Sequence, residues 1–143
     1  MLILGAGASL AGTLDSNGDK NGKKLPIMNN LVKVVGLEYL LKEVDIEFNS
    51  DNFEDIYGEL YVSGNYKEIL EEIENRVYQY FSSLELPDNP TIYDLLVLSL
   101  RSKDVIATFN WDPLLPDAWE RCRKITTNLP ELLFLHGNVR IAT

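Results

Sequence analysis

One cysteine, Cys122, and one histidine, His136, stand in this chain. A single cysteine excludes an intramolecular disulfide. It also excludes zinc sites built from four cysteines, or from two cysteines and two histidines. Cys122 reads as a buried apolar thiol on a helix, and such sparing cysteine use suits a reducing compartment. Basic residues are also scarce. Thirteen Lys and Arg stand against 22 Asp and Glu, for a net charge of −9. Without a basic run there is no phosphate-neutralising face, so no nucleic-acid partner is expected. Lys20, Lys23 and Lys24 cluster, but Gly and Asn interleave them and the segment reads as a solvated loop. No apolar run approaches the ~18 residues of a membrane span. The start has no Lys/Arg region and Gly5 breaks its apolar run, so it reads as strand and loop rather than signal peptide. No membrane partner and a cytoplasmic location are expected.

What remains is ordinary for a globular protein: 143 residues, 45% apolar and 24% charged. That length predicts one domain over residues 1–143. Leu2-Ile-Leu4, stopped by Gly5, predicts a buried parallel strand entering a tight turn. Gly12 to Lys24 is loop chemistry. Pro26 is expected to open a helix carrying Ile27, Met28, Leu31, Val34 and Val35, with Gly36 as its stop. A helix over Asp51–Val62, capped by Asp51 or Asn52, and a longer one over Asn65–Leu84 follow. Thr91 is expected to cap another helix. Asp104 to Phe109 reads as a buried strand, Asp112 to Ile125 as a helix with Leu114, Leu115, Ala118 and Cys122 inward, and Leu132 to Leu135 as a last strand. The pattern is α/β with parallel pairing, and a mainly helical segment over about 27–102 lies between the first and second strands.

Three polar islands share one expected position, the carboxyl end of a strand: Gly5-Ala6-Gly7-Ala8-Ser9, Thr108-Phe109-Asn110-Trp111-Asp112, and His136-Gly137. In open α/β sheets ligands bind outside those ends. The glycines of the first island permit a sharp turn and close backbone approach to an anion, or serve only a tight strand-to-helix turn. It is not a full G-x-G-x-x-G, since Leu10 stands at the third glycine, and no Gly-Lys-Ser/Thr follows. Asp112 suits a helix cap or Asx-turn before Pro113. Asn110 can hold a sugar hydroxyl or a water through its amide. Trp111 either packs or walls a ring-binding pocket. His136 is the natural general base near neutral pH, or a structural residue.

In this order the islands resemble the motifs of the sirtuin superfamily, which binds NAD on a Rossmann-like domain. Gly5-Ala-Gly-Ala-Ser9 resembles its G-A-G-x-S loop, Thr108-Phe-Asn110-Trp-Asp112 its T-x-N-x-D motif, Leu135-His136-Gly137 its H-G, and Leu25-Pro26 the G-I/L-P that follows the first loop. The resemblance spans the whole chain. Two departures bear on mechanism. Ile27-Met28-Asn29 stand where protein deacylases carry phenylalanine and arginine, and the four-cysteine zinc module is absent. The chain is therefore more similar to the zinc-free bacterial branch linked to anti-phage defence, whose members hydrolyse NAD.

The resemblance implies a Rossmann-like three-layer parallel sheet, incomplete at its carboxyl-terminal side because Thr143 follows His136 closely. It implies an NAD glycohydrolase using NAD as substrate and no metal. His136 would be general base on water or a ribose hydroxyl, Asn110 would position ribose or the attacking water, Gly5, Ala6, Gly7 and Ser9 would hold pyrophosphate, and Asp112 would orient the nicotinamide end or its loop. Expected partners are NAD and either a second copy of the chain or a fused or associated sensor domain. The alternatives are a non-catalytic NAD or ADP-ribose binder or truncated remnant, an NAD-dependent protein deacylase, which the missing cysteines disfavour, and an α/β fragment whose islands are only turns and caps.

Overall fold

Strand β1 (Leu2–Leu4) ends at Gly5, and the chain turns directly into helix α1 (Ala6–Gly12). The fold is mixed α/β in a computed structural model that describes residues 1–141. The other elements are α2 (Leu31–Val35), α3 (Glu38–Leu41), α4 (Phe53–Ser63), α5 (Lys67–Ser82), α6 (Ile92–Ser99), β2 (Val105–Thr108), α7 (Leu114–Arg123) and β3 (Glu131–Phe134). The chain divides into two compact units, residues 1–25 with 81–143 and residues 26–80. The helical insertion expected over about 27–102 is thus shorter as a unit, and α6 belongs with the sheet.

In the sheet unit, three strands lie in the order β1-β2-β3, all parallel. Leu4 pairs with Thr108 and Thr108 with Phe134, so the strands finish in one row. Ile106 and Ala107 of the central strand are buried, whereas Leu2, Ile3 and Leu133 of the outer strands are exposed. A parallel strand is ordinarily covered on both faces. β2 meets that rule and β1 does not.

Helices α6 and α7 are joined by charge. Asp94 accepts hydrogen bonds from the Thr91 N–H (2.6 Å) and hydroxyl (2.9 Å), forming the capping box of α6. Arg121 of α7 grips the same carboxylate through Nε at 2.8 Å and Nη2 at 2.5 Å, and its Nη1 donates to the Pro87 carbonyl at 2.7 Å. Burial acts to raise the Asp94 pKa, but the Arg121 and Thr91 hydrogen bonds outweigh it and hold the carboxyl below its usual range. Leu114, Leu115, Ala118 and Cys122 are buried along α7, as its spacing predicts. Trp119 Nε1 donates to the Pro130 carbonyl at 2.8 Å, fixing the approach to β3.

The segment expected to be a solvated loop has a buried centre. Asp19 accepts from the N–H groups of Asn21 (2.9 Å), Lys23 (2.8 Å) and Glu85 (2.9 Å). Gly18 is required there: its φ is 129°, and a Cβ would stand 2.7 Å from the Lys23 carbonyl oxygen.

In the second unit, Asn52 caps α4 by accepting from the Glu54 N–H at 2.9 Å, and Glu54 and Asp55 place negative charge in the first turn. Gly64, at φ 70°, ends the helix in the left-handed region. The helix expected from Pro26 starts only at Leu31. The Asn30 side chain takes the Ile27 N–H at 2.9 Å, and the Met28 carbonyl accepts from the Phe53 N–H, so residues 27–30 form a turn instead. Leu31, Leu37, Leu40, Val44, Phe53, Ile56, Leu60, Leu70, Ile73 and Val77 supply the buried apolar side chains of this unit.

Candidate functional site

The row of strand ends sets the site. Gly5 follows Leu4 of β1, Asn110 stands two residues past Thr108 of β2, and His136 stands two past Phe134 of β3. Neighbouring strands are about 4.8 Å apart, so these positions lie within roughly 10 Å across the sheet. The ladder runs one residue further, with the Phe109 N–H donating to the Leu4 carbonyl at 3.1 Å and the Leu135 N–H to the Thr108 carbonyl at 2.9 Å.

Asn110 is the centre of the site. Its side-chain amide Nδ2 donates to the Gly5 carbonyl at 3.0 Å and to Ser9 Oγ at 3.0 Å, with the Tyr93 hydroxyl at 3.4 Å. Ser9 Oγ in turn lies 2.6 Å from the Tyr93 hydroxyl. The backbone N–H of Asn110 donates to Thr108 Oγ1 at 3.0 Å. Ser9, Tyr93, Thr108, Asn110 and Asp112 are all buried. Polar groups in such a place must be paired, and these are paired with each other.

Asp112 lies at the edge of that cluster. Burial pushes its carboxyl above the ordinary carboxylate range, opposed by hydrogen bonds from the Ser9 hydroxyl and the Leu114 N–H. The latter, at 3.1 Å, opens α7 just before the proline-led first turn. The helix-opening turn expected of Asp112 is therefore present. Burial, and next the charge of Asp112, raise the Tyr93 phenol's pKa, so Tyr93 remains a neutral hydroxyl.

The first island is compact helix rather than open loop. Gly5 caps α1, the Ala8 N–H returns to the Gly5 carbonyl at 2.9 Å, and no side chain caps the helix. A Cβ placed on Gly5 or Gly7 would meet nothing within 4 Å, so open space faces the first turn. Ser9 lies behind that turn, with its hydroxyl oxygen hydrogen-bonded to Tyr93 and Asn110.

His136 is exposed. Its ring meets Phe109 edge-on, with centroids 4.9 Å apart and an interplanar angle of 69°. Gly137, at φ 78°, turns the chain after it. Trp111 meets Phe81 edge-on at 5.8 Å, so it packs.

Three contributors are absent from the sequence reading. Tyr93 hides among the leucines of α6, and nothing in its spacing marks it as polar. Phe109 sits inside the second island but shows no chemistry until its ring is seen on His136. Asn138 donates to the carbonyls of Asn110 (3.0 Å) and Asp112 (2.8 Å), and its only signal was the Gly137-Asn138 turn dipeptide.

Among the described residues no group of three His, Cys, Asp or Glu side chains is placed to hold a metal ion, and no helix is long and apolar enough to cross a membrane. No protein-family model and no curated protein matches the chain.

Proposed function

We propose that this chain carries the catalytic motifs of a sirtuin-like NAD hydrolase on an incomplete Rossmann-like sheet. One observation carries the reading: the Asn110 amide bridges from the end of β2 to Gly5 and Ser9 at the end of β1, in the same row of strand ends that leads to His136. Residues from opposite ends of the sequence thus converge where a parallel sheet presents ligands.

In this reading the ADP-ribosyl pyrophosphate lies against the first turn of α1. The N–H groups of Ala6 and Gly7 have no partner within the helix, and the glycines leave room for close approach. Ser9 acts one step back, holding Asn110. Asn110 meets the nicotinamide ribose or the attacking water, and Asp112 orients the loop that carries Asn110. Water attacks C1′ of the nicotinamide ribose and the bond to the nicotinamide nitrogen breaks. Nicotinamide leaves with the bonding electron pair, and His136 takes the proton lost by water.

The test is nicotinamide release from NAD by the purified chain, beside His136→Ala and Asn110→Ala. The expected result is turnover in the wild type, lost in both variants while the fold is kept. Equal turnover in all three proteins would overturn the assignment.

A second reading, binding of NAD or ADP-ribose without cleavage, rests on His136 itself. A general base is ordinarily oriented by a third polar group. Among the described residues, the contact found for His136 is the Phe109 ring. Calorimetry showing saturable NAD binding with no nicotinamide released would favour this reading.

A further inference from the structure

We propose that Tyr93 is a positioning residue that locks the Asn110 amide with its nitrogen inward, leaving Oδ1 as the one side-chain atom of Asn110 available to a ligand. The proposal rests on the NAD-site reading for its functional consequence, but not for its geometry.

The orientation follows from the partners. The Gly5 carbonyl, 3.0 Å away, can only accept, so the Asn110 atom facing it must be the donor nitrogen. An amide nitrogen has two protons. The Gly5 carbonyl takes one and Ser9 Oγ, also at 3.0 Å, takes the other. Ser9 has one proton and two lone pairs. It accepts the Asn110 proton and shares a 2.6 Å hydrogen bond with the Tyr93 hydroxyl, in which either oxygen can donate. In both cases the Tyr93 oxygen fixes the place of Ser9 Oγ, and Ser9 Oγ in turn holds the amide nitrogen of Asn110.

Asn110 Oδ1 accepts no hydrogen bond among the described residues. It is not among the buried side-chain atoms left without a partner, where Ser82 Oγ stands by itself, so it reaches solvent. A site built this way recognises a donor. An O–H fits, from a sugar hydroxyl or a water, and a ligand acceptor is refused. Without the Tyr93 hydroxyl, Ser9 Oγ loses its fixed partner and its hold on the Asn110 amide weakens, leaving the Gly5 carbonyl as the remaining acceptor for that nitrogen.

The test is Tyr93→Phe, which keeps the ring and removes one oxygen. In protein labelled with nitrogen-15 asparagine, hydrogen exchange is followed at the Asn110 side-chain amide, assigned by its loss in Asn110→Ala. The Asn138 side-chain amide serves as internal control, since its acceptors are the Asn110 and Asp112 carbonyls. Exchange on the order of tenfold faster at Asn110, the value of about one neutral hydrogen bond, is expected with Asn138 unchanged. Acceleration at both sites, or at neither, overturns the positioning role. In parallel, kcat for nicotinamide release is expected to fall on the order of tenfold with KM for NAD held within about twofold. Unchanged kcat with accelerated Asn110 exchange overturns the functional consequence. Accelerated exchange at Asn110, with no nicotinamide released even by wild type, keeps the positioning and removes NAD cleavage.

Discussion

The side chain of Asn138 donates a hydrogen bond to the backbone carbonyl of Asn110 at 3.0 Å, and a second to that of Asp112 at 2.8 Å. The turn after β3 thereby holds the loop after β2, and the Val139 N–H adds a bond to the Trp111 carbonyl at 3.1 Å.

Asn138→Ala leaves two carbonyls of buried residues without their donor. A loss of about 1–3 kcal/mol is expected, read as a lower urea midpoint. Asn138→Asp is expected to be worse near neutral pH, because a carboxylate would face two carbonyl oxygens. An aspartate variant as stable as the alanine variant contradicts this geometry.

Arg121 and Asp94 form a two-point ion pair between α7 and α6, with Asp94 buried and Arg121 partly open to solvent. Asp94→Ala strands the guanidinium and removes the capping box at once. Discounted for the exposure of Arg121, a cost of about 2–4 kcal/mol is expected. Arg121→Met leaves the Asp94 carboxylate with its Thr91 bonds and is expected to cost less. Chemical denaturation of the two variants side by side checks the order.

Asp94 and Asp112 act oppositely on the pH dependence of stability. The depressed Asp94 carboxyl contributes stability above the pKa of an unfolded aspartate, and that contribution disappears as pH falls through its folded value. The raised Asp112 carboxyl holds a proton in the folded chain at pH values where the unfolded chain has lost it. Its contribution therefore falls as pH rises through the window between the two pKa values. Below the pKa of an unfolded aspartate, about 3.9, Asp94→Asn is expected to flatten the rise of the urea midpoint with pH, and above that value Asp112→Asn is expected to remove a decline.

His136 is exposed, and among the described residues the contact found for it is the Phe109 ring, so His136→Ala is expected to change stability by less than about 0.5 kcal/mol. Loss of nicotinamide release in this variant therefore reports chemistry. A large fall in its thermal midpoint would show a structural histidine instead.

The elements were legible wherever side-chain period and turn chemistry acted locally. The short apolar run before Gly5, the Thr91 cap, and the inward face of Leu114, Leu115, Ala118 and Cys122 all appear in the fold. The start at Pro26 was not legible, because the Asn30 side chain competes for the Ile27 N–H and delays the helix to Leu31. The convergence of Gly5, Ser9 and Asn110 followed from strand ends in a parallel sheet. Tyr93 and Asn138 did not, since each acts by reaching atoms far along the chain, and one sequence carries no mark of such a partner. Ser9 illustrates the limit: its residue type suits a ligand contact, but its position on the inner side of α1 turns it toward Tyr93.

The pairing of β1 with β2 has a kinetic consequence. Strands β2 and β3 are joined through α7 alone, so their ladder closes a short loop. β1 finds its register on Ile106 and Ala107 across roughly a hundred intervening residues, so it closes a far larger loop. The β2–α7–β3 segment is therefore the natural nucleus, and Leu2–Leu4 docks late. The Gly5 carbonyl and Asn110 stand 105 residues apart, so the hydrogen bond that joins the first two islands forms only once β1 has docked on β2.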